Sequence, residues 1–163
     1  VDTIQKNDGS VPTAADLGLN VAGAVLQVVQ NSTSTAVSTT ATDWTDSGLS
    51  ASITPSSTSS KILVLVSQVL TMGSSSDNQQ QSNLGIFNSS NTLLFGQSGY
   101  DQLRIKPMQA FSWPVDMKYL HSPNTTSEYT YKTRMRIQQT NGTTLYAQNS
   151  SQPSTITLIE IAG

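Results

Sequence analysis

The sequence contains no cysteine, few charged residues and a single histidine. Without cysteine it can form neither a disulfide nor a thiolate metal site. Charged residues make up 11% of the 163 residues and the net charge is −2, which argues against a strongly electrostatic partner such as duplex DNA. No run approaches the about 20 apolar residues of a membrane span. We therefore expect neither a nucleic-acid partner nor a membrane partner.

Catalytic motifs are missing as well. His121, the only histidine, precedes a Ser-Pro turn, where a turn or surface position is expected. A metal site needs several ligands, and a Ser-His-Asp triad would require His121 itself. Asp43 and Asp46 are the one close pair of acids in the predicted sandwich, and we interpret both as turn residues. Neither a G-x-S-x-G elbow nor a glycine-rich phosphate loop occurs. We predict that the protein is not an enzyme, and that it has no cofactor and no catalytic or metal-ligating residue.

Serine and threonine take the place of the missing charges. The sequence has 25 Ser and 21 Thr, while its apolar residues, 36% of the chain, come in short periodic runs. A disordered polar chain would carry high charge and few β-branched residues. Ser and Thr pair well across strands and tolerate solvent on a sheet surface. The composition therefore predicts a folded, all-β protein of the kind found in fibres, lectins and virion shells.

Residues 49–70 show the strand pattern best. LSASIT alternates apolar and polar residues, which is typical of a half-buried strand. Pro55 then removes a ladder donor, and a serine-rich turn follows. KILVLV is apolar on both faces, as expected of a strand that is covered on both sides. We expect residues 61–70 to be the central strand of one of two packed sheets.

Further strands follow the same logic. Alternation over 111–119 predicts a strand that Pro114 restricts to a sheet edge or a bulge. Residues 128–138 alternate as sharply, and the Asn141-Gly142 turn predicts a hairpin with the segment after it. Residues 83–88 and 92–96 predict another hairpin, and 154–161 predicts a final strand. We expect loops at 73–82 and 99–107.

Eight to ten short strands with turn signals between them predict an all-β antiparallel sandwich, jelly-roll-like in its connections. Residues 1–20 predict an extended N-terminal arm, and residues 21–163 the sandwich domain. The chain starts at Val1 rather than Met, so we expect it to be processed or numbered from an internal residue.

The candidate contact residues lie on one strand and in one loop. Three cations share a strand face, and the usual meaning is a solvated face that discourages edge pairing. The functional alternative is contact with an acidic neighbouring subunit or an anionic glycan. Aromatic side chains of the same strand point the other way, which disfavours nucleic acid. The candidates are Lys132, Arg134 and Arg136 on the strand, and Tyr100, Asp101, Arg104 and Lys106 in the loop.

Several segments, taken in order, carry a resemblance. They are VDTIQKNDGS, GAVLQVVQ, GLSASITPSSTSSKILVLV, YLHSPNTTSEYTYK, TTLYAQNSS and STITLIEIAG. This order resembles a family of small proteins encoded by tailed phages, notably those of cyanobacteria and marine bacteria. The resemblance spans nearly the whole chain and is weakest at 73–110. It implies a β-rich, trimeric virion protein, either fibre-like or capsid-associated, and it carries over no catalytic residue.

These observations predict a non-enzymatic structural protein on the exterior of a tailed-phage virion. It would be a homotrimeric capsid decoration (cement) protein or a short tail-fibre module. Its arm would bind neighbouring virion subunits such as the major capsid protein. The sequence is compatible with a location on the head or on the tail of the particle. The alternative is a receptor- or glycan-binding fibre-tip module that uses loops 73–82 and 99–107. A hydrolase acting on host polysaccharide is the weakest hypothesis, because paired acids are scarce.

Overall fold

The chain folds as an all-β protein. The computed structural model describes residues 5–12, 22–74, 80–96, 103–105, 110–138 and 143–163, with only the backbone at 74, 80 and 103–105. Within these residues there are eleven strands and no α-helix. The strands are β1 (Val25–Thr33), β2 (Val37–Thr39), β3 (Thr45–Ile53), β4 (Lys61–Ser74), β5 (Gln80–Asn88), β6 (Leu93–Gly96), β7 (Leu103–Ile105), β8 (Phe111–His121), β9 (Tyr129–Ile137), β10 (Thr143–Ala147) and β11 (Ser154–Ile161).

The first sheet, sheet A, is built around β4. Strand β8 pairs along one edge of β4 from Ile62 to Met72. On the other edge, β11 pairs with the first half of β4 and β10 with the second half. Strand β1 pairs with the outer edge of β11, and β2 pairs with the outer edge of β10. Since β10 and β11 lie end to end, sheet A is four strands wide although it contains six strands.

The second sheet, sheet B, has the order β3–β9–β5, and β6 and β7 both pair with β5. Every pairing in both sheets is antiparallel. The two sheets pack face to face around one apolar core. The antiparallel all-β sandwich predicted from the sequence is confirmed. The jelly-roll-like connectivity stays a prediction, and the strand order is compatible with it.

Several local predictions are confirmed. The final strand begins and ends where the alternation predicted. Residues 83–88 lie in β5 and residues 93–96 form β6, so the predicted hairpin is confirmed, with its second strand beginning one residue later than predicted. Strand β8 pairs only with β4 among the described residues, so Pro114 lies on an edge strand as its missing N–H requires. Strand β4 occupies the predicted central position.

Other local predictions are wrong. Asn141 and Gly142 lie outside the described residues, but the predicted hairpin does not form, because both edges of β9 are occupied, by β3 and β5. Strand β10 pairs in sheet A instead. The predicted loop at 73–82 contains the end of β4 and the start of β5, and the loop at 99–107 contains β7. The short-range turn signal was outweighed by pairings between strands that are distant in the chain.

The core lies between the inner faces of the two sheets. On β4 the inward residues Ile62, Val64 and Val66 are buried, while the outward Leu63 and Leu65 are only half-buried. The expectation that both faces of this strand are covered is therefore wrong for the described part of the chain. Its outer face has no second layer of strands over it. The other inward residues are Leu49, Ala51, Ile53, Leu70, Met72, Leu84, Ile86, Met117, Tyr131, Met135, Ile137, Leu145, Ala147, Ile156 and Leu158.

A chain of buried polar groups crosses this core. Gln68 of sheet A donates from Nε2 to Ser47 Oγ of sheet B over 3.0 Å, and Ser47 Oγ lies 2.5 Å from Thr133 Oγ1. Gln148 is oriented so that its amide oxygen accepts from Gln68 Nε2 at 2.6 Å and from Ser154 Oγ at 3.1 Å. All five side chains are buried. We call them the polar bridge, because their hydrogen bonds join the two sheets through the apolar core.

We predict that Gln68→Met lowers the free energy of unfolding by about 1–3 kcal/mol, because Ser47 and Gln148 then lose a buried partner. Urea titration measures this change. Gln152→Met is the matched control, since Gln152 is exposed, and it should change little. Equal stabilities of the two variants would contradict the role of the polar bridge.

Candidate functional surfaces

Three cations and one carboxylate share the outer face of sheet B. Lys132, Arg134 and Arg136 alternate along β9 with inward-facing residues. Asp46 of β3 lies opposite Arg134 in the strand register. Its carboxylate is 3.2 Å from Lys132 Nζ and 2.8 Å from Arg134 Nε, the second being an ion contact without the alignment of a hydrogen bond. Asp46 therefore offsets part of the positive charge of this face.

The two arginines also hold aromatic rings. Arg134 donates from Nη2 to the backbone oxygen of Trp44 over 2.5 Å, and its guanidinium lies 5.3 Å from the centre of the Phe87 ring. The guanidinium of Arg136 lies 4.7 Å from the Trp44 ring. Arg136 Nε donates to Asn83 Oδ1 over 3.2 Å. Such cation–π contacts add to stability when they are partly desolvated.

The predicted cation face thus exists, but its side chains are engaged within the sheet. Together with Asp46 and Trp44 they fix the segment before β3 against β9. Their role in contacting an acidic surface stays a prediction. Of the loop candidates, Tyr100, Asp101 and Lys106 lie outside the described residues. Arg104 lies in β7, whose backbone pairs with β5, so sheet B carries it two strands away from the three cations.

An aromatic cluster lies near one end of the sandwich. Tyr119 stacks on Phe95 of β6 at 5.2 Å between ring centres, and on His121 at 5.7 Å. The His121 ring contacts both Tyr129 and Tyr131 of β9. His121 was expected in a turn or on the surface, yet it is the half-buried last residue of β8. It packs with the aromatic rings between the sheets.

The titration of this cluster follows from its burial. Burial lowers the pKa of His121, so the imidazole is neutral at pH 7. Burial also raises the pKa of Tyr131, and the neighbouring Tyr129 and Tyr119 raise it further. His121 Nδ1 and Tyr131 Oη share a hydrogen bond of 2.8 Å. The cluster is therefore uncharged at neutral pH, as a packing element requires.

One buried carboxylate was not identified from the sequence as a site. Glu160 lies at an inward position of β11 and is fully buried. Its Oε2 accepts from Gln27 Nε2 over 2.6 Å, and its Oε1 accepts from both the N–H and the Oγ of Ser56 over 2.7 Å. The signal was present in the sequence, since STITLIEI places this residue on the same face as Ile156 and Leu158.

The serine-rich turn controls the charge of Glu160. Burial alone would raise the pKa of this carboxyl, but the neighbouring Ser60 hydroxyl and the hydrogen bonds from Ser56 and Gln27 outweigh burial and lower the pKa to about 2. The Ser60 hydroxyl is itself buried. The turn after β3 is therefore held to β11 through an ionised, buried glutamate.

We predict that Glu160→Gln destabilises the protein at pH 7 by about 1–3 kcal/mol, because the Ser56 donors lose a charged acceptor. The folded-state pKa lies below the ordinary 4.5, so the wild type keeps this contribution above pH 4.5 and loses it as the pH falls toward 2. The free energy of unfolding of the variant, measured by urea titration, should therefore fall less steeply than that of the wild type as the pH drops from 4.5 to 2. We call this fall the acid limb.

The other glutamate of the chain, Glu128, is exposed. Glu128→Gln is therefore the matched control and should leave both the stability and the acid limb almost unchanged. Identical acid limbs for Glu160→Gln and the wild type would contradict the role of Glu160.

The outer face of sheet A carries an apolar row. In the strand register Val28 pairs with Ile159, Ile159 with Leu63, and Leu63 with Leu120. Val28 is 58% exposed and Leu120 is 50% exposed, while the other two are half-buried. The row spans all four strand positions of the sheet. A sheet face that meets water is normally polar, so this row is a candidate contact surface.

A shallow groove lies beside the apolar row. Its volume is about 210 Å³, and it lies between β8 and β11 with Leu65 and Ser67 of β4 among its lining residues. Asp116 and Lys118 of β8 border it. Neither side chain makes a hydrogen bond or an ion pair within the part of the chain that the structure describes.

Among the described residues, no group of three or more His, Cys, Asp or Glu side chains is placed to hold a metal ion. No helix in the described ranges is long and apolar enough to cross a bilayer.

Comparison with known proteins gives a distant likeness in fold. No protein-family model matches the chain, and no curated protein matches it in sequence. Two similar solved structures are those of infectious bursal disease virus, of the Gt strain and of the Gx strain, at 11% and 10% identity. The TM-scores are 0.38 and 0.39 over 84% and 85% of this chain, which spans 38% and 39% of the length of those chains. A likeness of this size carries no argument about function.

Proposed function

We propose that the protein is a non-enzymatic structural subunit of a tailed-phage virion. The apolar row on the outer face of sheet A carries this proposal. In a monomer, apolar residues in register across four strand positions would stay exposed to water, which is unfavourable. In an assembly subunit they are buried against a neighbour. The resemblance of the ordered sequence segments to phage structural proteins supports the virion as the place of assembly.

The subunit is a homotrimeric decoration protein or a short fibre module on the particle exterior, and its sandwich has jelly-roll connectivity. Its arm, residues 1–20, binds a neighbouring subunit such as the major capsid protein. Support comes from residues 5–12, which join neither sheet. Val11 is 70% exposed there. An exposed apolar residue outside the sandwich is suited to a neighbour's surface.

Removal of residues 1–20 tests this role. The truncated sandwich should unfold at a temperature within a few degrees of the full chain, because none of the eleven described strands is lost. It should, however, fail to bind particles that lack the protein, as measured by co-sedimentation and particle imaging. The full chain added to the same particles is the positive control. Equal binding by the truncated chain would contradict the role of the arm.

A second candidate function is host attachment through an anionic glycan. The observation that favours it is the cation face, where Lys132 and the Arg136–Trp44 pair offer charge and an aromatic ring side by side. A contribution of segments 73–82 and 99–107 to such a site stays a prediction.

We expect Lys132→Gln combined with Arg136→Gln to weaken binding to sulfated or uronic-acid glycans on an array by about ten-fold or more, if host attachment is the function. Lys61→Gln combined with Lys118→Gln removes the same charge from the other sheet and is the control. Absence of glycan binding by the wild type would exclude this function.

A further inference from the structure

The outward positions of β8 carry a pattern that is complementary to itself. After Ser112, the four consecutive outward positions along the strand are Pro114, Asp116, Lys118 and Leu120. In chemical terms the order is apolar, anion, cation, apolar. When two copies of β8 face each other in antiparallel orientation, Pro114 of one copy meets Leu120 of the other, and Asp116 meets Lys118.

The neighbouring strand extends the same pattern across the sheet. Val69 pairs with Pro114, and Leu63 pairs with Leu120, so both ends of the pattern are apolar on β4 as well. Ser67 and Leu65 lie between them, opposite Asp116 and Lys118. The groove of about 210 Å³ lies over these middle positions and leaves space for the charged side chains of a facing surface.

The charges of this pattern have no partners in the described part of the chain. Asp116 and Lys118 are exposed, and the facing strand residues offer neither of them an opposite charge. A partner of one net sign would pair one of these side chains and repel the other. A copy of the same face, turned by a two-fold rotation, pairs both.

We propose that a second copy of this chain docks face to face on the outer face of sheet A. The two-fold axis lies between the two faces, perpendicular to β8, and passes over the position of Met117. Asp116 of one copy then faces Lys118 of the other on both sides of the axis. Leu63 and Leu120 of the apolar row are then buried against Val69 and Pro114 of the facing sheet. This two-fold contact does not depend on the proposed virion role. It would join copies of the chain in addition to the contacts within the proposed homotrimer.

Charge reversal tests the contact. Asp116→Lys should weaken self-association in sedimentation velocity about ten-fold or more, because each copy then presents cations to cations. Asp116→Lys combined with Lys118→Asp keeps a self-complementary order and should restore association to near the wild-type level. Leu120→Lys should weaken it in the same way as the single reversal. All three positions are exposed, so the variants should fold.

Glu128→Lys is the matched control, since it makes the same charge change at an exposed position outside sheet A, and it should leave association unchanged. If the wild-type chain does not self-associate in sedimentation velocity at high concentration, the proposal is overturned. The virion role is tested separately, by particle binding. The proposal is also overturned if the single reversal has no effect, if the double reversal fails to restore association, or if Glu128→Lys weakens it equally.

Discussion

The hydrogen bonds of the polar bridge are the constraint on which the rest of this sandwich depends. An apolar core alone lets two sheets slide and rotate, because dispersion and burial have little directionality. Buried amides and hydroxyls are directional, and a shift of one sheet would leave Gln68 or Ser47 unpaired at about 1–3 kcal/mol for each group. The stacking of the sheets is thereby restricted to one arrangement. The relative positions of the outer faces of sheets A and B follow from that arrangement.

The same bridge explains how one strand position is shared by two strands. Gln148 has a left-handed backbone conformation, with φ of 54°, directly after β10. Its N–H donates to the backbone oxygen of Val69, and its side chain enters the core between Gln68 and Ser154. The chain leaves the sheet there and returns as β11. The interruption between β10 and β11 is therefore stabilised by polar contacts at a place where a buried break would otherwise expose backbone groups to an apolar core.

Alternation in the sequence was sufficient to locate most strands, because a period of two depends only on which residues meet the core. Strand β11 and the edge position of Pro114 are the clearest cases. Pairing across the fold was not visible in the same way: Asn141-Gly142 favours a hairpin locally, but β9 already had two partners from distant parts of the chain. Glu160 was missed because its hydrogen bonds come from residues more than 100 positions away. The cations of β9 were correctly placed on one face, whereas their contacts with Trp44 and Asp46 depend on the path of a loop.

The two ends of the sandwich domain lie together. Gly23 and Ala24 exchange backbone hydrogen bonds with Ala162, and β1 and β11 run antiparallel from that point. A pulling force between these ends would act across the ladder, so the bonds would open one pair at a time rather than all at once. The Gln27–Glu160 contact is among the first side-chain contacts along that path. The Glu160 carboxylate is therefore among the first buried groups on which such tension would act.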